Sequence, residues 1–121
     1  MTLHLILPDP DWLLRDLTRY APEHPCSGSD TTVEAGLQAV ARLRPDAVFF
    51  SFSTPGEVPW QTAMRELKAA GAEVVVLSAW PTLAYEAFRL DASGFLLLPP
   101  DPGELREVLQ RVERKVAEKH R

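Results

Sequence analysis

Strand-like and helix-like stretches alternate along the whole of this chain, and no other feature limits its fold as much. An apolar strand followed by a helix, repeated about five times, predicts a parallel sheet covered by helices on both faces. The clearest strand is Glu73–Ser78 (EVVVLS), whose unbroken apolar run leaves no face for water. Leu3–Leu7, Ala47–Phe52 and Gly94–Leu98 (GFLLL) read as further strands. Residues 21–30 (APEHPCSGSD) are polar and broken by Pro and Gly, which allows only a short edge strand.

The helices announce themselves by caps and spacing. Asp9 reads as an N-cap with Pro10 in the first turn, ahead of Trp12, Leu13, Leu17 and Tyr20. Thr31-Thr32-Val33-Glu34 reads as a capping box for a helix carrying Val33, Leu37, Val40, Ala41 and Leu43. Thr54-Pro55-Gly56-Glu57 predicts the next start, with Trp60, Met64 and Leu67 on one face and Gly71 as the stop. A helix with Leu83, Ala84 or Tyr85, and Phe88 follows Pro81. Asp101-Pro102-Gly103-Glu104 is a second capping box, opening a long amphipathic helix through Leu105, Val108, Leu109, Val112 and Val116.

The length of 121 residues suits a single domain, residues 1–121, with one core. The formal charge of −4 gives no basic footprint, so direct nucleic-acid binding is not expected. One cysteine, Cys26, excludes an internal disulfide and a Cys-rich zinc site, and suits a reducing cytoplasm. No 18-residue apolar run exists to span a membrane, and MTLHLILPDPDW lacks the regions of a signal peptide. Neither a repeat nor a low-complexity tract interrupts the pattern.

In an open parallel sheet, function gathers at the carboxyl ends of the strands. Those ends are Asp9, Ser51–Thr54, Ser78–Trp80 and Leu98–Pro100. The segments around them have a recognisable order. RPDAVFFSFSTPG resembles the third strand of the receiver domain of bacterial two-component response regulators. LILPDPDWLLR, VVVLSAW and GFLLLPPDPGEL resemble its first, fourth and fifth strands. The resemblance covers nearly the whole chain and implies a five-stranded, flavodoxin-like (βα)5 fold.

It also implies a chemistry that this chain, with several of the needed residues replaced, is not expected to carry. Receivers take a phosphoryl group from a histidine kinase onto an aspartate, with Mg²⁺ held by that aspartate and an acidic pair. A lysine and a hydroxyl contact the phosphoryl group. Metal and lysine neutralise charge as it moves, which is why the chemistry needs both. Matched position by position, the acceptor falls on Ser51 and the lysine on Leu98. The acidic pair falls on Asp9 and Pro10, with Asp11 just beyond. The switch hydroxyl falls on Ser78 and its aromatic partner on Phe95, both kept in type. Mg²⁺ favours one or two carboxylates among hard oxygen ligands, so the site is expected to hold no metal, and no other cofactor is implied. The resemblance further implies a cis Leu98–Pro99 peptide, which proline makes accessible.

Each residue also has a plainer reading. A nucleophilic serine needs an adjacent base, and His4, His24 and His120 have no evident route to Ser51. Its hydroxyl then simply satisfies loop backbone, as does that of Ser78. Asp9 is explained by capping, and the basic residues near the end of the last helix complement its dipole. Leu98 extends the core. Trp80 and Pro100 flank the surface of the fourth helix, fifth strand and fifth helix, through which receivers dimerise or bind effectors. Trp80 reads either as a core plug or as part of that interface, the plug being favoured.

The sequence therefore predicts a non-enzymatic, phosphorylation-independent receiver-like module that signals by binding a protein partner or itself. The alternative is a flavodoxin-like small-ligand-binding protein or enzyme using the same strand ends. Against it, Pro8-Asp9-Pro10 stands where a glycine-rich phosphate loop would follow the first strand.

Overall fold

The computed structural model describes residues 1–120. Five parallel strands form one sheet in the order β2-β1-β3-β4-β5. They are β1 (Leu3–Ile6), β2 (Cys26–Asp30), β3 (Ala47–Ser51), β4 (Glu73–Ser78) and β5 (Gly94–Leu97). The connecting helices are α1 (Asp11–Tyr20), α2 (Val33–Leu43), α3 (Trp60–Ala69), α4 (Ala84–Arg89) and α5 (Pro102–Lys119).

Alternation along the strands divides the core into two layers. Leu3, Leu5, Phe49, Val75, Leu77 and Leu96 face α1 and α5, meeting Leu13, Leu17 and the predicted α5 stripe from Leu105 to Val116. Ile6, Val48, Phe50, Val74 and Val76 face the opposite way, against Val33, Val40, Met64, Leu67 and Ala87. β3 and β4 are buried along their full length, as continuous apolar strands require. β2 is the polar edge strand anticipated from residues 21–30. It is fastened by buried His4, whose Nε2 lies 2.7 Å from Asp30 Oδ2 and whose Nδ1 lies 2.9 Å from Ser27 Oγ.

Several local starts differ from the sequence reading. Asp9 does not cap α1: Pro10 takes the N-cap position in helical conformation, and no side chain closes the first turn. Thr32 is the N-cap of α2, its hydroxyl accepting from Ala35 N–H at 3.3 Å. Glu34 does not complete a capping box. It reaches across instead to accept from the backbone N–H groups of Glu57, at 2.5 Å, and Val58, at 3.2 Å. The Glu57 N–H is the main cause that holds the Glu34 carboxyl below its ordinary pKa. That tether keeps residues 54–59 in a loop, so α3 begins at Trp60 and not at Thr54. Trp60 is only half-buried, while Met64 and Leu67 are buried as anticipated, and Gly71 follows the helix end at φ 88°.

The segment after Pro81 departs furthest from expectation. A 3-10 turn over Pro81–Leu83 precedes a helix of only six residues, whose one buried residue is Ala87. Tyr85 and Phe88 point outward. Asp101 caps α5 as predicted, accepting from Gly103 N–H at 2.8 Å. The Leu98–Pro99 peptide is cis.

Candidate functional site

The carboxyl ends of β3, β4 and β5 lie side by side, and β4 holds the other two apart and in register. Ser51, the last residue of β3, is buried. Its Oγ lies 2.8 Å from Ser53 Oγ and accepts the Ser53 N–H at 3.3 Å. Thr54, also buried, brings its hydroxyl to 2.7 Å from the Ser51 carbonyl and 3.2 Å from the Ile6 carbonyl. It thereby pins the β3 loop to the end of β1. Among the described residues no histidine hydrogen-bonds to Ser51: His4 is engaged by Ser27 and Asp30, His24 by the amino terminus, and His120 lies near Asp46. Ser51 is thus a satisfied hydroxyl with no base to activate it.

Ser78, the last residue of β4, is buried and accepts the Trp80 N–H at 3.0 Å. The Leu98 N–H donates to the Ser78 carbonyl at 2.9 Å, which carries β5 one residue past its regular end. Phe95 is half-buried and packs against the α2–α3–α4 layer. Asp9 and Asp11 are exposed, and neither side chain has a hydrogen-bond or ion-pair partner among the described residues. No three His, Cys, Asp or Glu side chains among the described residues converge into a metal-holding group. A neutral, buried Ser51 with solvent-facing Asp9 and Asp11 is a poor donor set for Mg²⁺, and the residues present do not fit that ion.

The aromatic residues organise the space above these strand ends. Phe52 stacks on Trp60 with ring centroids 4.0 Å apart and planes 28° apart. Phe50 meets Phe52 in a T-shaped pair with centroids 5.7 Å apart. This slab forms one wall of a cavity of about 300 Å³, whose other walls include Trp80, Leu83 and Leu98. Ser53 and Ser78 bring the polar side chains to it. Trp80 lines the rim and does not plug the core, because 68% of its surface is exposed. On the other side of Leu98, a second apolar groove of about 310 Å³ is formed with Trp12, Pro99 and Pro100. Leu98 therefore separates two apolar concavities.

The stacking of Phe52 on Trp60 was not foreseen from the sequence, since both residues looked like ordinary strand and helix positions. It depends on the length and path of the loop between them. That path is set by Glu34, a residue on a different helix.

Sheet order, strand direction and helix placement together are those of the flavodoxin-like receiver fold, and this chain has that fold. Solved receiver domains superpose on nearly all of it. The signal receiver domain of a modulated diguanylate cyclase from Desulfovibrio desulfuricans G20 gives a TM-score of 0.84 at 14% identity, with 98% of this chain and 97% of that chain covered. The REC domain of AraT, a response regulator from Geobacillus stearothermophilus, gives 0.81 at 24% identity, with 99% and 98% covered. The receiver domain of the response regulator NarL from Mycobacterium tuberculosis gives 0.79 at 20% identity, with 93% and 95% covered. No protein-family model matches the chain, and no curated protein does.

Proposed function

We propose that this chain is a receiver-like signalling domain that is not phosphorylated at the usual position and works by protein contact. Ser51 stands in for the acceptor and Asp9 and Asp11 are the remnant of the acidic pocket. Ser78 and Phe95 keep the switch positions. The observation that carries the reading is Leu98, which lines an apolar cavity at the position where phosphoryl chemistry needs a cation. A phosphoryl group placed there would lose its hydration with no charged partner to replace it.

The contact surface of this reading is the face of α4, β5 and α5, bound by a protein partner or by a second copy. Trp80, Tyr85, Phe88 and Leu97 are 68%, 72%, 48% and 42% exposed, an unusual outward set on the loop after β4, a short helix and its neighbouring strand. Pro100 continues the edge of this face into the Trp12 groove. The domain acts, on this reading, in a reducing cytoplasm where Cys26 stays a thiol, and has no catalytic role. No helix among the described residues is long and apolar enough to cross a membrane.

Two measurements test this. Incubation with acetyl phosphate and Mg²⁺, followed by intact-mass analysis, is expected to leave the protein without a phosphoryl adduct. Sedimentation across a concentration series, with affinity capture and identification of bound protein, is expected to show self-association or a defined complex that Phe88→Glu abolishes. A stable acyl phosphate on an aspartate would overturn the first half, and a strictly monomeric protein without partners the second.

A further inference from the structure

We infer that the cavity at the ends of β3, β4 and β5 binds a neutral, planar aromatic small molecule that carries a hydrogen-bond acceptor. The inference rests on the reading that this site no longer handles a phosphoryl group. Its volume of about 300 Å³ lies at the small end of the range for ligand sites, roughly 300–1,000 Å³.

The walls select the ligand's shape and charge. Phe52 and Trp60 already form a two-ring stack, and a third flat ring extends that arrangement. Trp80 at the rim is 68% exposed, so a ligand that covers its face removes apolar surface from water. Among the described residues, no Lys, Arg, His, Asp or Glu lines the cavity. An ionised ligand would therefore be desolvated without compensation, whereas a neutral one would not. The two lining hydroxyls supply orientation. Ser78 Oγ already accepts from Trp80 N–H, and among the described residues the acceptor within its reach, the Trp80 carbonyl, is at a long 3.5 Å. Its proton is thus available to a ligand oxygen.

The three tryptophans give the experiment its resolution. Trp60 and Trp80 line this cavity, while Trp12 lines the separate groove beyond Leu98. The indole N–H signals of the ¹⁵N-labelled protein are followed by NMR during titration with 2-naphthol, and with 2-naphthoate as its charged counterpart of similar shape. Saturable shifts of Trp60 and Trp80 with 2-naphthol are expected, with Trp12 unmoved and 2-naphthoate at least about tenfold weaker. Leu98→Lys is expected to reverse that preference. Trp80→Ala, at an exposed position that leaves folding intact, is expected to weaken 2-naphthol about fivefold or more. Absent or unsaturable shifts, shifts centred on Trp12, equal binding of 2-naphthoate, or unchanged affinity in Trp80→Ala would each overturn the inference. These results are separate from the acetyl phosphate test. An acyl phosphate on the protein defeats the reading of the site itself, whereas failure of 2-naphthol on an unphosphorylated protein defeats only the ligand.

Discussion

Lys119 Nζ lies 2.8 Å from Glu73 Oε1, so the last turn of α5 is tied to the first residue of β4. The same carboxylate receives Lys68 from α3 at 3.1 Å and the hydroxyl of Ser93. Lys119 also donates to the Gly71 carbonyl at 3.1 Å. A buried charge is thus fully partnered at the amino end of β4, while the cavity at the carboxyl ends of β3, β4 and β5 is lined by neutral groups among the described residues. Ion pairing thus marks the start of β4, and a largely apolar cavity marks its end.

Glu73 gives this protein a predictable acid response. Burial pushes its pKa up, but hydrogen bonds from Lys119, Ser93 and Lys68 outweigh burial and hold it at about 2, below the ordinary 4.5. A carboxyl whose folded pKa is depressed stabilises the fold above its unfolded pKa and loses that contribution as pH falls. The loss is expected between about pH 4.5 and pH 2. Glu73→Gln, which leaves Lys68 and Lys119 facing an amide, is expected to cost about 1–3 kcal/mol at pH 7. It should also flatten stability against pH in that window. Urea unfolding at several pH values measures both, and a variant with wild-type acid sensitivity would contradict the assignment.

The approach of α2 to β1 depends on Gly36. A Cβ built there would stand 2.5 Å from Ile6 Cδ1, 2.7 Å from Cγ1 and 2.9 Å from Cγ2. Contacts to both branches of one buried side chain cannot be relieved by a single rotation. Gly36→Ala normally favours a helix, by roughly 1 kcal/mol. Here overpacking is expected to win, with a net loss of about 1–2 kcal/mol in chemical unfolding. A stabilised variant would mean that the helix can shift outward at no cost.

What was readable in the sequence follows from what each element depends on. β4 was assigned to its correct ends because EVVVLS states burial on both faces in its own residues. The α5 stripe was equally plain, because Leu105, Val108, Leu109, Val112 and Val116 repeat at helical spacing. The starts of α1 and α3 were misplaced because they are decided elsewhere. Asp9 turns to solvent once Pro10 enters the helical region, and the loop before Trp60 is held by Glu34 from α2. The outward turn of Tyr85 and Phe88 was hidden by the assumption of a full helix after Pro81. A six-residue helix buries only Ala87 and leaves its aromatic residues outside. The Glu73 cluster was not foreseen, because its members are distant in sequence and share no motif.

Thr54 is the fastener of the β3 loop. Its buried hydroxyl lies within hydrogen-bond reach of carbonyls on two strands, Ser51 and Ile6. Thr54→Val keeps the shape and removes the hydroxyl, at an expected cost of about 1 kcal/mol. The local consequence is the sharper check. Amide hydrogen exchange at Ser53 and Thr54 is expected to rise more than at β4, because the loop loses its tie to β1. Uniform acceleration across the sheet would show that Thr54 contributes to global stability only.

The apolar character of the carboxyl end can be tested by restoring charge one residue at a time. Ser51 is buried, so Ser51→Asp places a carboxylate beside Ser53, and among the described residues no cation lines the cavity that Ser53 and Leu98 share. Burial raises a carboxyl pKa, so the penalty should be small near pH 4 and grow as pH rises through the shifted value. About 1–3 kcal/mol is expected at pH 7. Leu98→Lys alone should also destabilise, by removing an apolar wall between two concavities. Together the two charges should attract, so the double variant is expected to be more stable than the sum of the single losses by about 0.5–3 kcal/mol. Strict additivity in that cycle would mean that positions 51 and 98 do not share a site, and would remove the basis for reading Leu98 as the residue that closed it to anions.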